Sequence, residues 1–350
     1  MKENSSITYR EIYRQPGAFQ AIHESLGVIL PVIDKVFAGG KYDEVIFTGC
    51  GTSYYAAQSA SYLFSHYTDL PSRALPCSEI YFFAETYFKN RKILVVPISR
   101  KSYTTEVRMA VDKARSFKGV RSLAVTCDPD SAQYNDDVIL SPDANEESVI
   151  MTGSFTSMVY LSLILAMAVG NHKDETAALG ENYINDTKKL LAGADMLAKK
   201  IVDENPGLKL YITLGQGAFY GIANECSNKM KEMGIVNSES YHSLEYRHGP
   251  MSLADANTLV LLLANPQSAE YERKLLAQLQ GYGAVTAAAG DNASGTFTGV
   301  NYALDIPSHY QGPQAAALIG FIGQFLGYHI SLKKNIDADY PRNLSQAIVL

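Results

Sequence analysis

The sequence predicts an α/β protein of two tandem three-layer α/β/α domains, each built on a mainly parallel sheet. Short apolar runs alternate with segments of helical pattern along the whole chain. The second half repeats the order of the first, unit by unit. The chain has 350 residues, 47% hydrophobic and 19% charged, enough for two cores of ordinary size.

Residues 1–40 read as a helical lead-in. "DEVIFTG" (43–49) is an apolar run closing on Gly, and the helical pattern "YYAAQSASYLFSHY" follows it. "KILVVPIS" (92–99) then precedes "YTTEVRMAVDKARS", and "RSLAVTC" (121–127) precedes a turn-rich stretch. The acidic "SPDANEES" (141–148) leads into a long apolar helix over 152–170. In the second half "KLYITLGQGAFYGIANECSNKM" (209–230) parallels "EVIFTGCGTSYYAAQSASYLF" (44–64). "TLVLLLANP" (258–266) echoes "KILVVPIS", and "AVTAAAGD" (284–291) echoes "SLAVTCD". The helix "KKLLAGADMLAKKIVDENPG" marks the join and stops at Pro206-Gly207. The expected domains are therefore 41–195 and 196–350.

A net charge of −6 with no basic stripe argues against nucleic-acid binding. The opening "MKENSSITYR" is polar and predicts no secretory leader. The apolar run over 158–170 is too short to span a bilayer, so no membrane partner is expected. Cys50, Cys77, Cys127 and Cys226 lack CxxC spacing and read as reduced core thiols of a cytoplasmic protein. No carboxylate–His cluster has ligand spacing, so neither a metal nor a cofactor is expected.

Two loops carry possible anion chemistry. "TGCGTSYYAA" (48–57) sets Gly49 and Gly51 at a strand-to-helix turn, with Thr52 and Ser53 opening the helix. Backbone N–H groups and the positive end of the helix dipole converge there, which suits a phosphate, although tight strand–helix turns need Gly in any case. The second-half copy replaces the hydroxyl pair with Ala218 and Phe219. "PISRKSYTTEV" (97–107) adds Ser99, Arg100, Lys101, Ser102 and Thr104 at the end of the next strand, one of the hydroxyls serving as an N-cap.

"NECSNKMKEMG" (224–234) places Glu225, Lys229 and Glu232 on one helix face. Residues alone leave two readings of that row. An exposed Glu225–Lys229 pair would contribute a few tenths of a kcal/mol, about 0.3–0.5. A proton-transfer site would need a base beside a titrating His, and His248 stands before a Gly-Pro turn in "LEYRHGP".

Together "CGTSYYAA", "ISRKSYTTE", "GSFTSM" and "SYHSLEYRHGPMSLAD" resemble the sugar-isomerase (SIS) family, with its flavodoxin-like α/β/α domains. The resemblance covers nearly the whole chain, through the tail "DYPRNLSQAIVL". It is strongest to the isomerase half of glucosamine-6-phosphate synthase and to hexosamine-phosphate deaminases and fructosamine-phosphate deglycases. It implies that Ser53, Ser99 and Thr104, with Thr52 beside them, hold a sugar phosphate. Glu232 is then the base between C1 and C2, and Glu225 and Lys229 organise it. His248 opens the sugar ring and comes from the neighbouring subunit of a homodimer.

Three departures refine this. Arg100 and Lys101 stand where the synthases have Gln and Ser, which predicts extra positive charge in the phosphate cradle. Gln346 stands where the synthases have an imine-forming Lys. A glutamine-hydrolysing domain is absent, so glutamine-dependent synthesis by this chain alone is not expected. The expected activity is deamination or deglycation of an amino-sugar or fructosamine 6-phosphate through an enediol or enaminol. An aldose–ketose isomerase and a non-catalytic sugar-phosphate sensor are the alternatives.

Overall fold

The structure, a computed structural model, describes residues 6–38, 42–310, 312–346 and 348–349. Three helices open the chain: α1 (Ile7–Tyr13), α2 (Gln15–Glu24) and α3 (Leu26–Ala38). The chain divides into two compact units. One comprises 14–185 and 345–350; the other comprises 1–13 and 186–344. The lead-in is thus shared, with α1 in the second unit and α2 and α3 in the first.

The first unit holds β1 (Glu44–Gly49), α4 (Thr52–Tyr67), β2 (Ser72–Pro76), α5 (Cys77–Phe88), β3 (Ile93–Ser99), α6 (Thr105–Arg115), β4 (Val120–Thr126), β5 (Asp137–Leu140) and α7 (Gly153–Val169). Its five strands are all parallel, in the order β2-β1-β3-β4-β5. β1 and β3 are buried at every residue, as befits central strands covered by helices on both faces. α7 is apolar all round and buried almost throughout, and it packs on α4.

α8 (Lys173–Glu204) is one uninterrupted helix, longer than the sequence pattern indicates, and the division between units falls within it. The second unit continues with β6 (Leu210–Gly215), α9 (Ala218–Gly234), β7 (Asn237–His242), β8 (Thr258–Leu263), α10 (Ala269–Gly281), β9 (Val285–Asp291), α11 (Ala293–Thr296), β10 (Tyr302–Ile306), α12 (Ala316–Ile319) and α13 (Phe321–Lys333). Its five-stranded parallel sheet runs β10-β9-β8-β6-β7. Read from β7, this is the order of the first sheet, so the repeat seen in sequence is a repeat of topology.

α13 packs on α9. A Cβ at Gly327 would lie 2.6 Å from the Lys229 carbonyl oxygen, and one at Gly323 would collide with Cys226. The glycines therefore let the two helices meet backbone to backbone. Among the described residues, Gly312–Lys333 is the one helical stretch long and apolar enough to cross a membrane, and 94% of its 18-residue apolar window is buried inside the protein. Its Gly, Gln and His residues interrupt the apolar pattern, which is why the run over 158–170 stands out more in the sequence.

Candidate active site

In both sheets the chain leaves the first strand in one direction and returns on the other side, so the carboxyl ends of β1 and β3, and of β6 and β8, flank the switch points where α/β sheets bind ligands. The first-sheet loops carry the predicted hydroxyls there. After β1, Gly51 has φ 54° and ψ −126°, a conformation that favours glycine. A Cβ at Gly49 would lie 2.6 Å from the Ser53 carbonyl carbon, so the turn folds tightly onto the start of α4. Thr52 and Ser53 occupy that start and are buried. The Cys77 contact and burial hold the Cys50 thiol well above its ordinary range, consistent with a packing role.

After β3, the Ser99 hydroxyl donates to the Lys101 carbonyl at 2.8 Å. The Ser102 N–H donates to Asp128 at 2.8 Å. Burial opposes ionisation of Asp128, but the Ser102 and Asp130 N–H groups, the Ser102 hydroxyl and Lys101 outweigh it and hold the carboxyl below its usual range. Thr104 is the N-cap residue of α6, in extended conformation and without a side-chain cap bond. The Thr105 N–H donates to the Ile348 carbonyl at 3.2 Å, so the chain's tail lies against the start of α6.

Arg100 departs from the expectation that it adds charge to this cradle. It is 2% exposed, and both terminal nitrogens of its guanidinium are taken by structural partners. Nη1 donates to Glu146 at 3.3 Å and to the Ser148 carbonyl at 3.0 Å, while Nη2 donates to the carbonyls of Val149 at 3.1 Å and Gln346 at 3.2 Å. Glu146 in turn accepts from the Thr152 N–H at 2.7 Å and hydroxyl at 2.8 Å, and from Ser154 at the start of α7. A buried guanidinium with a carboxylate and three carbonyls around it is neutralised and immobile, which suits an anchor rather than a phosphate ligand. The Gln346 side chain donates to the Glu147 carbonyl. Lys101 and Ser102 remain half-buried on the loop.

The second unit supplies the charged row. Glu225 and Lys229 are buried, with side chains 3% and 1% exposed, and Glu232 is 21% exposed. The Lys229 Nζ lies 3.2 Å from Glu225 and also donates to Glu232. Glu232 accepts a second bond, at 2.9 Å, from Asn228, one residue before the lysine. Burial lowers the pKa of Lys229, but the two carboxylates outweigh it and keep the ammonium charged. The row is thus a desolvated carboxylate–ammonium–carboxylate triad, and the solvated-face reading does not survive its burial.

His248 sits on the loop after β7, exposed, with its N–H donating to the Glu245 carbonyl at 3.0 Å; Gly249 follows with φ 125°. His242, at the end of β7, stacks on Tyr220 with centroids 3.8 Å apart and meets Gln216 at 3.0 Å. Burial depresses its pKa, with Glu245 opposing. Among the described residues no group of three His, Cys, Asp or Glu side chains is placed to hold a metal ion. Sequence reasoning missed Asp128, Glu146 and Asn228. Only Asn228 carried a signal, being four residues before Glu232 on the same helix face.

Comparison with known proteins agrees with this geometry. The SIS domain family matches residues 41–170 and 209–292. Glutamine–fructose-6-phosphate aminotransferase (isomerizing) of Pseudomonas aeruginosa is 26% identical over 99% of this chain, which spans 57% of that protein's length. The crystal structure of glucosamine-6-phosphate deaminase from Thermotoga maritima superposes with TM-score 0.81 at 26% identity, covering 99% of this chain and 100% of its own. Tagatose-6-phosphate ketose/aldose isomerase from Escherichia coli shares the fold, with TM-score 0.82 at 21% identity over 100% of this chain and 97% of its own. With the matched segments covering more than half of its residues, this chain belongs to the SIS domain family.

Proposed function

We propose that the chain is a phosphosugar-processing enzyme, a deaminase or deglycase of an amino-sugar or fructosamine 6-phosphate. The Glu225–Lys229–Glu232 triad carries the reading, with Glu225 and Lys229 buried and Glu232 partly so. Burying charged groups costs several kcal/mol each, of order 3–5 when one partner is lost, and an apolar helix face would be cheaper. An ammonium held between two carboxyl groups instead keeps Glu232 oriented, as a base requires.

In this reading Thr52, Ser53, Ser99, Ser102, Thr104 and Lys101 are the phosphate ligands, and Arg100 holds the loop that presents them. His248 passes a proton between the ring oxygen and the anomeric hydroxyl to open the sugar. Glu232 removes a proton from the carbon next to the carbonyl or imine and returns it to the adjacent carbon, through an enaminol. The imine so formed is hydrolysed, releasing ammonia or an amine. Gln346 favours this over synthesis, because an amide cannot form an imine with the substrate. Assembly as a cytoplasmic homodimer, with His248 crossing to its partner, belongs to the same reading. Mixing inactive Glu232→Gln and His248→Ala chains should then restore part of the activity.

The test is incubation with glucosamine 6-phosphate and, separately, a fructosamine 6-phosphate, following released amine and hexose phosphate. Turnover of one, abolished in Glu232→Gln, supports the proposal. Conversion of an aldose phosphate to a ketose phosphate without amine release would replace it with the isomerase alternative, to which the Escherichia coli isomerase's shared fold lends support. Binding without any turnover would leave a sensor.

A further inference from the structure

The loop that carries His248 has two buried residues, Ser243 and Tyr246, both 0% exposed. Tyr246 packs in the apolar core with Leu275, Leu276 and Leu279 of α10. Ser243 reaches the same helix, where its hydroxyl donates to Glu272 at 2.7 Å. Glu272 is itself 0% exposed, and its other oxygen accepts the Asn265 N–H at 3.2 Å from the loop after β8. Glu272 shares the buried face of α10 with those three leucines. Packing alone would be served by a fourth apolar side chain, because burying a carboxyl among leucines costs free energy unless hydrogen bonds offset it. Burial pushes this carboxyl up, while the hydroxyls of Ser243 and Ser268 and the Asn265 N–H pull against it. All three partners donate to it, so the carboxyl is an acceptor that ties together the loops leaving β7 and β8.

We infer that Glu272 is a positioning residue for His248, fixing through Ser243 the end of the loop from which the imidazole projects. The effect is mechanical and passes along five residues of chain, with Tyr246 as the second fixed point. Without the Glu272 bond the loop keeps its apolar anchor but loses the polar one, and the imidazole samples a wider range of positions. This rests on the reading of His248 as the ring-opening group.

The experiment combines kinetics with the ring resonance of His248 in the full-length protein, identified by its disappearance in His248→Gln. Glu272→Leu keeps the bulk but removes both acceptor oxygens, so the Ser243 hydroxyl and the Asn265 N–H lose their partner together. Ser243→Ala removes the bond from the other side and guards against misfolding of the first variant. The expected result is a displaced or broadened His248 signal in both variants, with the His172 signal unmoved. On whichever substrate the wild type turns over, kcat should fall about 10²-fold. KM should stay within about twofold, and the double variant should be no worse than Glu272→Leu. An unchanged His248 signal in folded Ser243→Ala overturns the inference, whatever the activity. A displaced signal in a wild-type protein that turns over neither substrate upholds the inference and removes the proposed function instead.

Discussion

The two halves share a turn almost to the degree. Gly51 has φ 54° and ψ −126°; its counterpart Gly217 has φ 59° and ψ −128°. Behind each lies a second glycine pressed on the helix start, Gly49 on Ser53 and Gly215 on Phe219. Yet the first half follows its turn with Thr52 and Ser53 and the second with Ala218 and Phe219. The second half carries its charged row about two to four turns further on, in the body of α9. The turn geometry is shared, while the polar side chains stand on a loop in one half and on a helix face in the other. A loop at a switch point can offer N–H groups and hydroxyls to an anion. A buried helix can hold a charge in a fixed, dry setting.

The comparison can be broken at several points. The largest expected effect is Glu232→Gln, which should lower kcat about 10²–10⁴-fold while leaving phosphate-ligand binding intact in a calorimetric titration. Lys229→Met should leave the buried Glu225 without its cation and cost about 3–5 kcal/mol in a urea titration. Ser53→Ala should remove a hydrogen bond to a charged phosphate, weakening binding by about 1.5–3 kcal/mol and raising KM without a matching fall in kcat. Phe219→Ala at the counterpart position should leave phosphate affinity unchanged. Gly327→Ala should force α13 off α9 and cost about 1–3 kcal/mol of stability. The smallest effect belongs to Lys274→Met. Glu270 and Lys274 of α10 have the same i, i+4 spacing as Glu225 and Lys229 and are 2.7 Å apart, but their side chains are 66% and 57% exposed. That variant should melt with the wild type in a thermal scan.

This last contrast also shows what the sequence could and could not convey. Two identical spacings on two helices conceal one buried pair and one solvated pair, because burial is decided by α13, which lies far along the chain. The central strands were readable, since β1, β3, β6 and β8 are apolar on both faces. β2, β5, β7 and β10 were not, and all four are sheet edges. Edge strands here are short and partly exposed, as in "SRALP" and "NSESYH", so they lack the apolar run that marks a covered strand. The placement of hydroxyls at the carboxyl ends of β1 and β3 was legible, because each group follows an apolar run. Arg100 was misread because a cation in a phosphate-type loop looks like a ligand until Glu146, 46 residues away, is seen to claim it. Glu272 gave no signal, because one acid in an amphipathic helix pattern looks like any solvent-facing residue.

The glycines of α13 have a mechanical consequence for α9. Most helix pairs meet through side chains, which can change rotamer and absorb a shift of a few tenths of an ångström. At Gly327 the Lys229 carbonyl meets main chain instead, and a main chain has no rotamers to yield. The contact acts as a hard stop, setting the depth of Lys229 and hence of Glu232.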